Sequence, residues 1–247
     1  MKALITGANK GIGFGIAEAL GKRGIEILVG ARNEQLGNQA VTELEKTGIT
    51  ASFIKIDLND FTSIHQAADQ ISDLDYLINN AGIAGNLATE RGPLDMEKSP
   101  FDYTTADLQQ TIETNFLGTH EVIKSFLPKL TPTAKILNVT VPVTATYWQP
   151  LAYVTSKAAQ NVMTMAFGRE FEKQGSQRQI FGVMPGAVAT SLNGMTATND
   201  YNKLAIKTPG EAAENIVSFL FDGKNHNGHI VEFDGKEVTT YEGQLFD

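Results

Sequence analysis

The sequence predicts an α/β fold, a single doubly wound parallel β-sheet with helices on both faces. Three observations predict it. Apolar runs of strand length alternate with stretches of helical spacing from the first residues on, and strict βα alternation implies parallel strands joined by crossovers. The first of these runs feeds a glycine-rich turn that opens a helix, the arrangement of a first βα junction that cradles a dinucleotide. At 247 residues, with no linker-like stretch, the chain fits one domain over 1–247, within the usual range for a large α/β unit. Together these describe a Rossmann-type architecture.

Each element follows in order. Lys2–Thr6 is a short buried-strand pattern, and Phe14–Lys22 has helical spacing ending at Gly24. Ile25–Ala31 reads as the second strand and Asn33–Thr47 as the second helix, with Asn33 as its cap. Thr50–Ile56 is the third strand, Phe61–Ile71 the third helix and Tyr76–Asn79 the fourth strand. A polar connection, Ile83 to Tyr103, breaks the rhythm before a long helix from Thr104 to Leu127, stopped by Pro128. Lys135–Val139 is the fifth strand, Tyr153–Gln174 a helix and Gln179–Met184 the sixth strand. Residues 187–207 read as a mobile flap over a substrate site, Pro209–Phe221 as the last helix and Gly228–Phe233 as the last strand.

Bulk composition narrows the function. A net charge of −8 disfavours nonspecific nucleic-acid binding. The absence of cysteine excludes disulfides and thiolate catalysis. No apolar run approaches the ~18–20 residues needed to cross a membrane, and the first residues reach Gly7 too soon for a signal peptide. The expected location is therefore the cytoplasm. His65, His120, His226 and His229 lack metal-ligand spacing, so no metal site is expected.

In such a fold, ligands bind beyond the carboxyl ends of the strands, and the unusual residues fall there. Gly7–Gly13, Arg32, Asp57, Asn79–Gly82, Thr140 and Pro185-Gly186 all follow directly after a strand. Gly7, Gly11 and Gly13 suit a tight turn and close approach to a pyrophosphate, with a helix start to receive the anion. The second strand ends at Arg32 with no carboxylate, and Lys10 lies in the glycine loop. Two cations and no acid favour NADP(H) over NAD, because charge-assisted bonds to a 2′-phosphate are strong.

Tyr153 and Lys157 stand four apart at the start of a helix, about 6 Å apart along its axis. A cation beside the phenol, with the positive end of a helix, is expected to lower its pKa.

With these residues in view, the chain resembles the short-chain dehydrogenases/reductases over nearly its whole length. The resemblance rests on the loop Thr6-Gly7-Ala8-Asn9-Lys10-Gly11-Ile12-Gly13, on Asp57, and on Asn79-Asn80-Ala81-Gly82. It continues through Thr114-Asn115-Phe116-Leu117-Gly118, Tyr153-x-x-x-Lys157, and Pro185-Gly186-Ala187-Val188-Ala189-Thr190. The Asn9-Lys10 loop and the Gly30-Ala31-Arg32 ending look most like the NADPH-dependent carbonyl reductase branch. The resemblance implies that Tyr153 is the general acid that protonates a carbonyl as hydride arrives. It implies that Lys157 binds the nicotinamide ribose and lowers the Tyr153 pKa, and that Asn115 holds a water in a proton relay. It also implies that Gly7, Asn9, Lys10, Gly11, Ile12 and Gly13 lie along the cofactor. Asp57 and Leu58 would meet the adenine, Asn80 the adenosine side, and Val188 and Thr190 the carboxamide.

The family's substrate-binding serine is missing. Counting thirteen residues back from Tyr153 places Thr140 there; counting from Asn138 places Val141 there, without a donor. Thr140 is favoured, with Thr144 a distant third. The wall of the substrate pocket is expected from the residues after Gly82, the 147–151 segment with Trp148, and 187–207. The substrate is expected to be a small, apolar aldehyde or ketone, and the assembly a homodimer or homotetramer joined through the two long helices. An NADP-binding regulatory or scaffold protein with little turnover is the alternative, and an NAD-linked alcohol dehydrogenase a third.

Overall fold

Seven parallel strands form one sheet in the order β3-β2-β1-β4-β5-β6-β7. The strands are β1 (Lys2–Thr6), β2 (Glu26–Ala31), β3 (Ala51–Lys55), β4 (Leu74–Asn79), β5 (Leu130–Val139), β6 (Gln179–Met184) and β7 (Ile230–Glu232). The helices between them are α1 (Gly11–Gly21), α2 (Glu34–Lys46), α3 (Phe61–Asp69), α4 (Thr105–Ile112), α5 (Thr119–Phe126), α6 (Leu151–Lys173) and α7 (Pro209–Phe221). The computed structural model describes residues 1–84, 98–141, 150–192 and 206–238. The candidate Thr144, the 147–151 wall up to Gln149, and residues 193–205 of the expected flap lie outside the described residues.

The central strands are buried on both faces, which is why they read as continuous apolar runs, whereas the edge strand β3 buries only Ile54. Ala3 and Ile5 of β1 face a core layer with Ile16 and Leu20 of α1, Leu44 of α2 and Ile216 of α7. Leu4 faces the other layer, with Ile64 of α3, Val122 and Phe126 of α5, and Met163 and Phe171 of α6. Both layers are needed, because neither face of the sheet carries polar residues enough to meet water.

Local chemistry explains most element ends. Asn33 caps α2, its Oδ1 accepting from Leu36 N at 2.9 Å. Thr104 and Thr208 each close a capping box, with Asp107 and Glu211 respectively. Three elements differ most from expectation. Helix α1 starts at Gly11 rather than Phe14, because the glycines of the loop are themselves its first turn. Strand β5 begins at Leu130, five residues early, through a Thr131-Pro132-Thr133 stretch that passes a register shift between Leu74 and Tyr76 of β4. Proline is tolerated in strands at such irregularities. The helix expected over Thr104–Leu127 is α4 and α5 joined by a π-helical turn, Glu113–Gly118. Gly118 lets this turn lie on the β3–α3 connection: a Cβ there would sit 2.5 Å from the Leu58 carbonyl oxygen.

Candidate active site

The strand order reverses on either side of β1, so the crevice between β1 and β4 is the switch point where such sheets bind ligands. Thr6 and Asn80 staple it. The Thr6 hydroxyl accepts from Asn80 N and Ala81 N, both at 3.1 Å. Asn80 Nδ2 donates to Thr6 O at 3.1 Å and Gly7 O at 3.4 Å. Asn80, expected at the adenosine side of a cofactor, thus has its amide nitrogen spent on bracing the glycine loop.

That loop is shaped for close approach. Gly7 and Gly11 have φ of 68° and 59°, values that L side chains rarely adopt. A Cβ on Gly13 would lie 2.4 Å from the Gly7 carbonyl oxygen. Helix α1 has no side-chain cap at Lys10 and no acid in its first turn, so its opening N–H groups and positive dipole end face the loop uncompensated by a side chain. Arg32 is exposed and makes no hydrogen bond or ion pair with any described residue. Lys10 does not join it. The Lys10 ammonium donates to Ser191 Oγ at 2.9 Å, crossing from the loop to the segment after β6. Asp57 Oδ1 accepts from Asn59 N at 3.0 Å, an Asx turn that fixes the end of β3. Leu58 beside it is buried.

Helix α6 carries the candidate residues Tyr153 and Lys157. Its sheet-facing side is polar: Ser156, Lys157, Gln160, Asn161 and Thr164 are all buried. Tyr153 is also buried, and burial pushes its phenol up to about 12. The same desolvation lowers Lys157 to about 8. The Lys157 ammonium lies 5.9 Å from the centre of the Tyr153 ring and donates to Val139 O at 2.8 Å and Gln160 Oε1 at 3.0 Å. The net shift of the phenol is thus upward, opposite to the downward shift expected. The ammonium is held by two oxygens, and loss of water is the dominant influence on the phenol.

Asn115 sits in the π-helical turn, a feature frequent at functional sites. Its amide pairs with the backbone of Ile83 in both directions, accepting from N at 2.8 Å and donating to O at 2.9 Å. It also donates to Ser156 Oγ at 3.0 Å, and Ser156 in turn donates to Tyr153 O at 2.7 Å. Asn115 is thereby tied to α6 through Ser156, which sequence reading passed over. Its side chain is spent on these bonds.

Thr140, favoured for the place of the missing serine, has its hydroxyl engaged: it donates to Asn161 Oδ1 at 2.7 Å, in a bond that ties the end of β5 to α6. The side chain that packs with Tyr153 is Val141, in an apolar cluster with Ala84 and Leu192. Thr140 and Val141 both lie just past the end of β5 at Val139, the one bonded to α6 and the other packed toward the cluster that holds Tyr153. Beyond β6, Val188 is buried and forms a parallel bridge with Lys207, with Ala189 N donating to Lys207 O at 2.9 Å. Thr190 follows, partly exposed, next to Ser191. Among the described residues no group of three or more His, Cys, Asp or Glu could hold a metal ion, and no helix is long and apolar enough to cross a membrane.

Comparison with known proteins places this arrangement. Carbonyl reductase [NADPH] 1 of Mus musculus is 27% identical over 282 residues, covering 93% of this chain and 95% of that protein. A fatty acyl-CoA reductase of Acinetobacter baylyi is 30% identical over 222 residues, covering 87% of this chain and 71% of the relative. The crystal structure of an NADPH-bound carbonyl reductase from chicken fatty liver superposes with a TM-score of 0.80, at 23% identity, over 96% of this chain and 98% of that one, a likeness of fold. The short chain dehydrogenase family model matches residues 1–200. The chain belongs to the short-chain dehydrogenase family.

Proposed function

We propose that this chain is an NADPH-dependent reductase that transfers hydride to an aldehyde or ketone carbonyl, with Tyr153 as general acid. The observation that carries the reading is Tyr153 itself, buried, protonated across the neutral range, and set between Lys157 and an apolar cluster. Its relatives named as NADPH carbonyl reductases support the cofactor and the reaction class.

The residues present fit NADP(H). The glycine loop and the open start of α1 would hold the pyrophosphate, and Arg32, exposed and without a protein partner among the described residues, would hold the 2′-phosphate. Asp57 and Leu58 would flank the adenine, Lys157 the nicotinamide ribose, and Val188 and Thr190 the carboxamide. Lys10, bonded to Ser191, would close over the pyrophosphate rather than meet the 2′-phosphate. NADPH, when bound, supplies the hydride.

Tyr153 gives its phenolic proton to the carbonyl oxygen as charge develops there. A phenol near 12 is fully protonated at pH 7 and so suits reduction better than oxidation. Lys157, charged below about 8, stabilises the phenolate as it forms. A water held by the Asn115 backbone returns the proton. Val141 offers the carbonyl no second donor and, with Ala84 and Leu192, lines the site with apolar surface, which suits a small apolar substrate.

The same valine favours a second reading, an NADP-binding regulatory or scaffold protein with little turnover. Loss of one oxyanion-type donor costs about 3 kcal/mol. Oxidation of NADPH and of NADH, followed with a panel of aldehydes, ketones and diketones, separates the two. Carbonyl-dependent consumption of NADPH is expected; tight NADPH binding with no turnover on any carbonyl would establish the second reading. A cytoplasmic homodimer or homotetramer is part of the proposal. Leu117, Val162 and Met165 stand exposed on the long-helix faces that would meet, and light scattering in solution would test it.

A further inference from the structure

We propose that Gln160 is a positioning residue for Lys157, holding its ammonium between the Gln160 side-chain oxygen and the Val139 carbonyl so that one N–H is left for the cofactor. This rests on the reading that Lys157 serves NADPH. An ammonium has three donors, and the two short bonds at 3.0 and 2.8 Å use two of them. Gln160 follows Lys157 by three positions on α6 and therefore lies on the same helical face.

The orientation of the Gln160 amide is decided by the lysine. Its Oε1 faces the ammonium, and its Nε2 is buried with no hydrogen-bond partner among the described residues. Turning the amide over would set its NH2 against the ammonium. A buried amide with half its capacity unused is costly, and a methionine would fill a similar volume without that cost. What glutamine alone supplies here is an uncharged oxygen for Lys157.

Gln160 is itself anchored. Thr164 Oγ1 donates to Gln160 O at 2.9 Å, Asn138 Nδ2 donates to Thr164 Oγ1 at 2.7 Å, and Asn79 Nδ2 donates to Asn138 Oδ1 at 2.8 Å. A buried polar chain thus runs from the ends of β4 and β5 to the residue that holds the lysine. Such chains position well when each bond is made.

Titratable groups on the surrounding elements leave the pair to itself. Tyr153 is the neighbour on α6, while Asp107 of α4 is taken by Thr104 and Lys98. Glu113 of the π-helical turn accepts from Gln109 Nε2 at 2.7 Å. His120 of α5 packs on Phe167, further along α6. Strand β6 carries no charged residue, and Lys135 of β5 reaches Leu220 O.

The test follows the Lys157 side chain by NMR in the full chain labelled with 13C at lysine Cε, with Lys157→Arg assigning the signal. Gln160→Met should move its titration midpoint down by about one pH unit, and Gln160→Glu should move it up, since acceptors and negative charge favour the ammonium. NADPH affinity at pH 7, by calorimetry, should fall about tenfold in Gln160→Met, about the loss expected for one charged hydrogen bond. Unchanged midpoint and affinity in Gln160→Met would overturn the proposal. Should that variant fail to fold, an unmoved midpoint in Gln160→Glu overturns it and an upward shift upholds it. A wild-type chain that binds no NADPH, with both shifts intact, would sink the cofactor reading and leave the Gln160–Lys157 pairing standing.

Discussion

Val141 packs into the apolar cluster that Tyr153 forms with Ala84. The Tyr153 side chain therefore has a methyl-bearing residue beside its cluster, and Thr140, next to Val141 in the chain, has its hydroxyl bound to Asn161. This arrangement shapes much of what can be expected of the protein.

Restoring a donor should raise turnover. Val141→Ser should increase kcat on a simple ketone by about 10²-fold, within the range for one oxyanion-type donor. The gain should be smaller on diketones, whose carbonyls are already activated. Steady-state rates on both substrates check this. Thr140→Val, by contrast, should leave kcat within a few-fold and cost about 1–3 kcal/mol of stability in urea unfolding, because it leaves Asn161 Oδ1 unpaired in the interior.

Tyr153→Phe removes the proton and keeps the ring. Turnover should fall by about 10²–10⁴-fold, the usual contribution of a general acid. NADPH affinity by calorimetry should stay close to wild type.

Lys157 sets the upper limit in pH. Its folded value, about 8, lies below the ordinary 10.5, so its charge disappears above about pH 8, and kcat/KM for reduction should decline there. Stability behaves oppositely. Between pH 8 and 10.5 the unfolded chain binds the extra proton, so this group's contribution to stability rises with pH. Tyr153, raised from 10.0 to about 12, contributes stability that is lost as pH climbs through that window. Lys157→Met should accordingly unfold at higher urea at pH 7, by on the order of 1–3 kcal/mol, while losing activity. Chemical denaturation of the wild type and of Lys157→Met at pH 7 and pH 9.5 checks the sign for Lys157.

Arg32→Ala should weaken NADPH binding by about 10–100-fold, the worth of a charge-assisted bond, and leave NADH binding unchanged. Equal losses for both cofactors would remove Arg32 from the 2′-phosphate site.

Much of this was legible in the residues. Parallel-strand runs, the glycine loop and the Tyr153/Lys157 spacing are local patterns, and β1, β6 and α7 lie where those patterns set them. The start of α1 was hidden because Gly11 and Gly13 are poor helix formers chosen for close approach. Pro132 disguised the first half of β5. The different surroundings of Thr140 and Val141, just past β5, depend on the direction in which each side chain leaves the backbone, and a count of residues cannot carry that. Gln160 and Ser156 were invisible for a different reason. Polar residues inside a helix read as a solvent face until the sheet is laid against them, and here that face is the buried one.

The most direct test of the central claim is transfer of label from NADPH deuterated at the reactive C4 position to a carbonyl substrate, read by mass spectrometry of the alcohol. The account predicts one deuterium on the carbinol carbon with the wild-type chain and at least a hundredfold slower incorporation with Tyr153→Phe. An undeuterated alcohol, or equal incorporation by the two proteins, would contradict it.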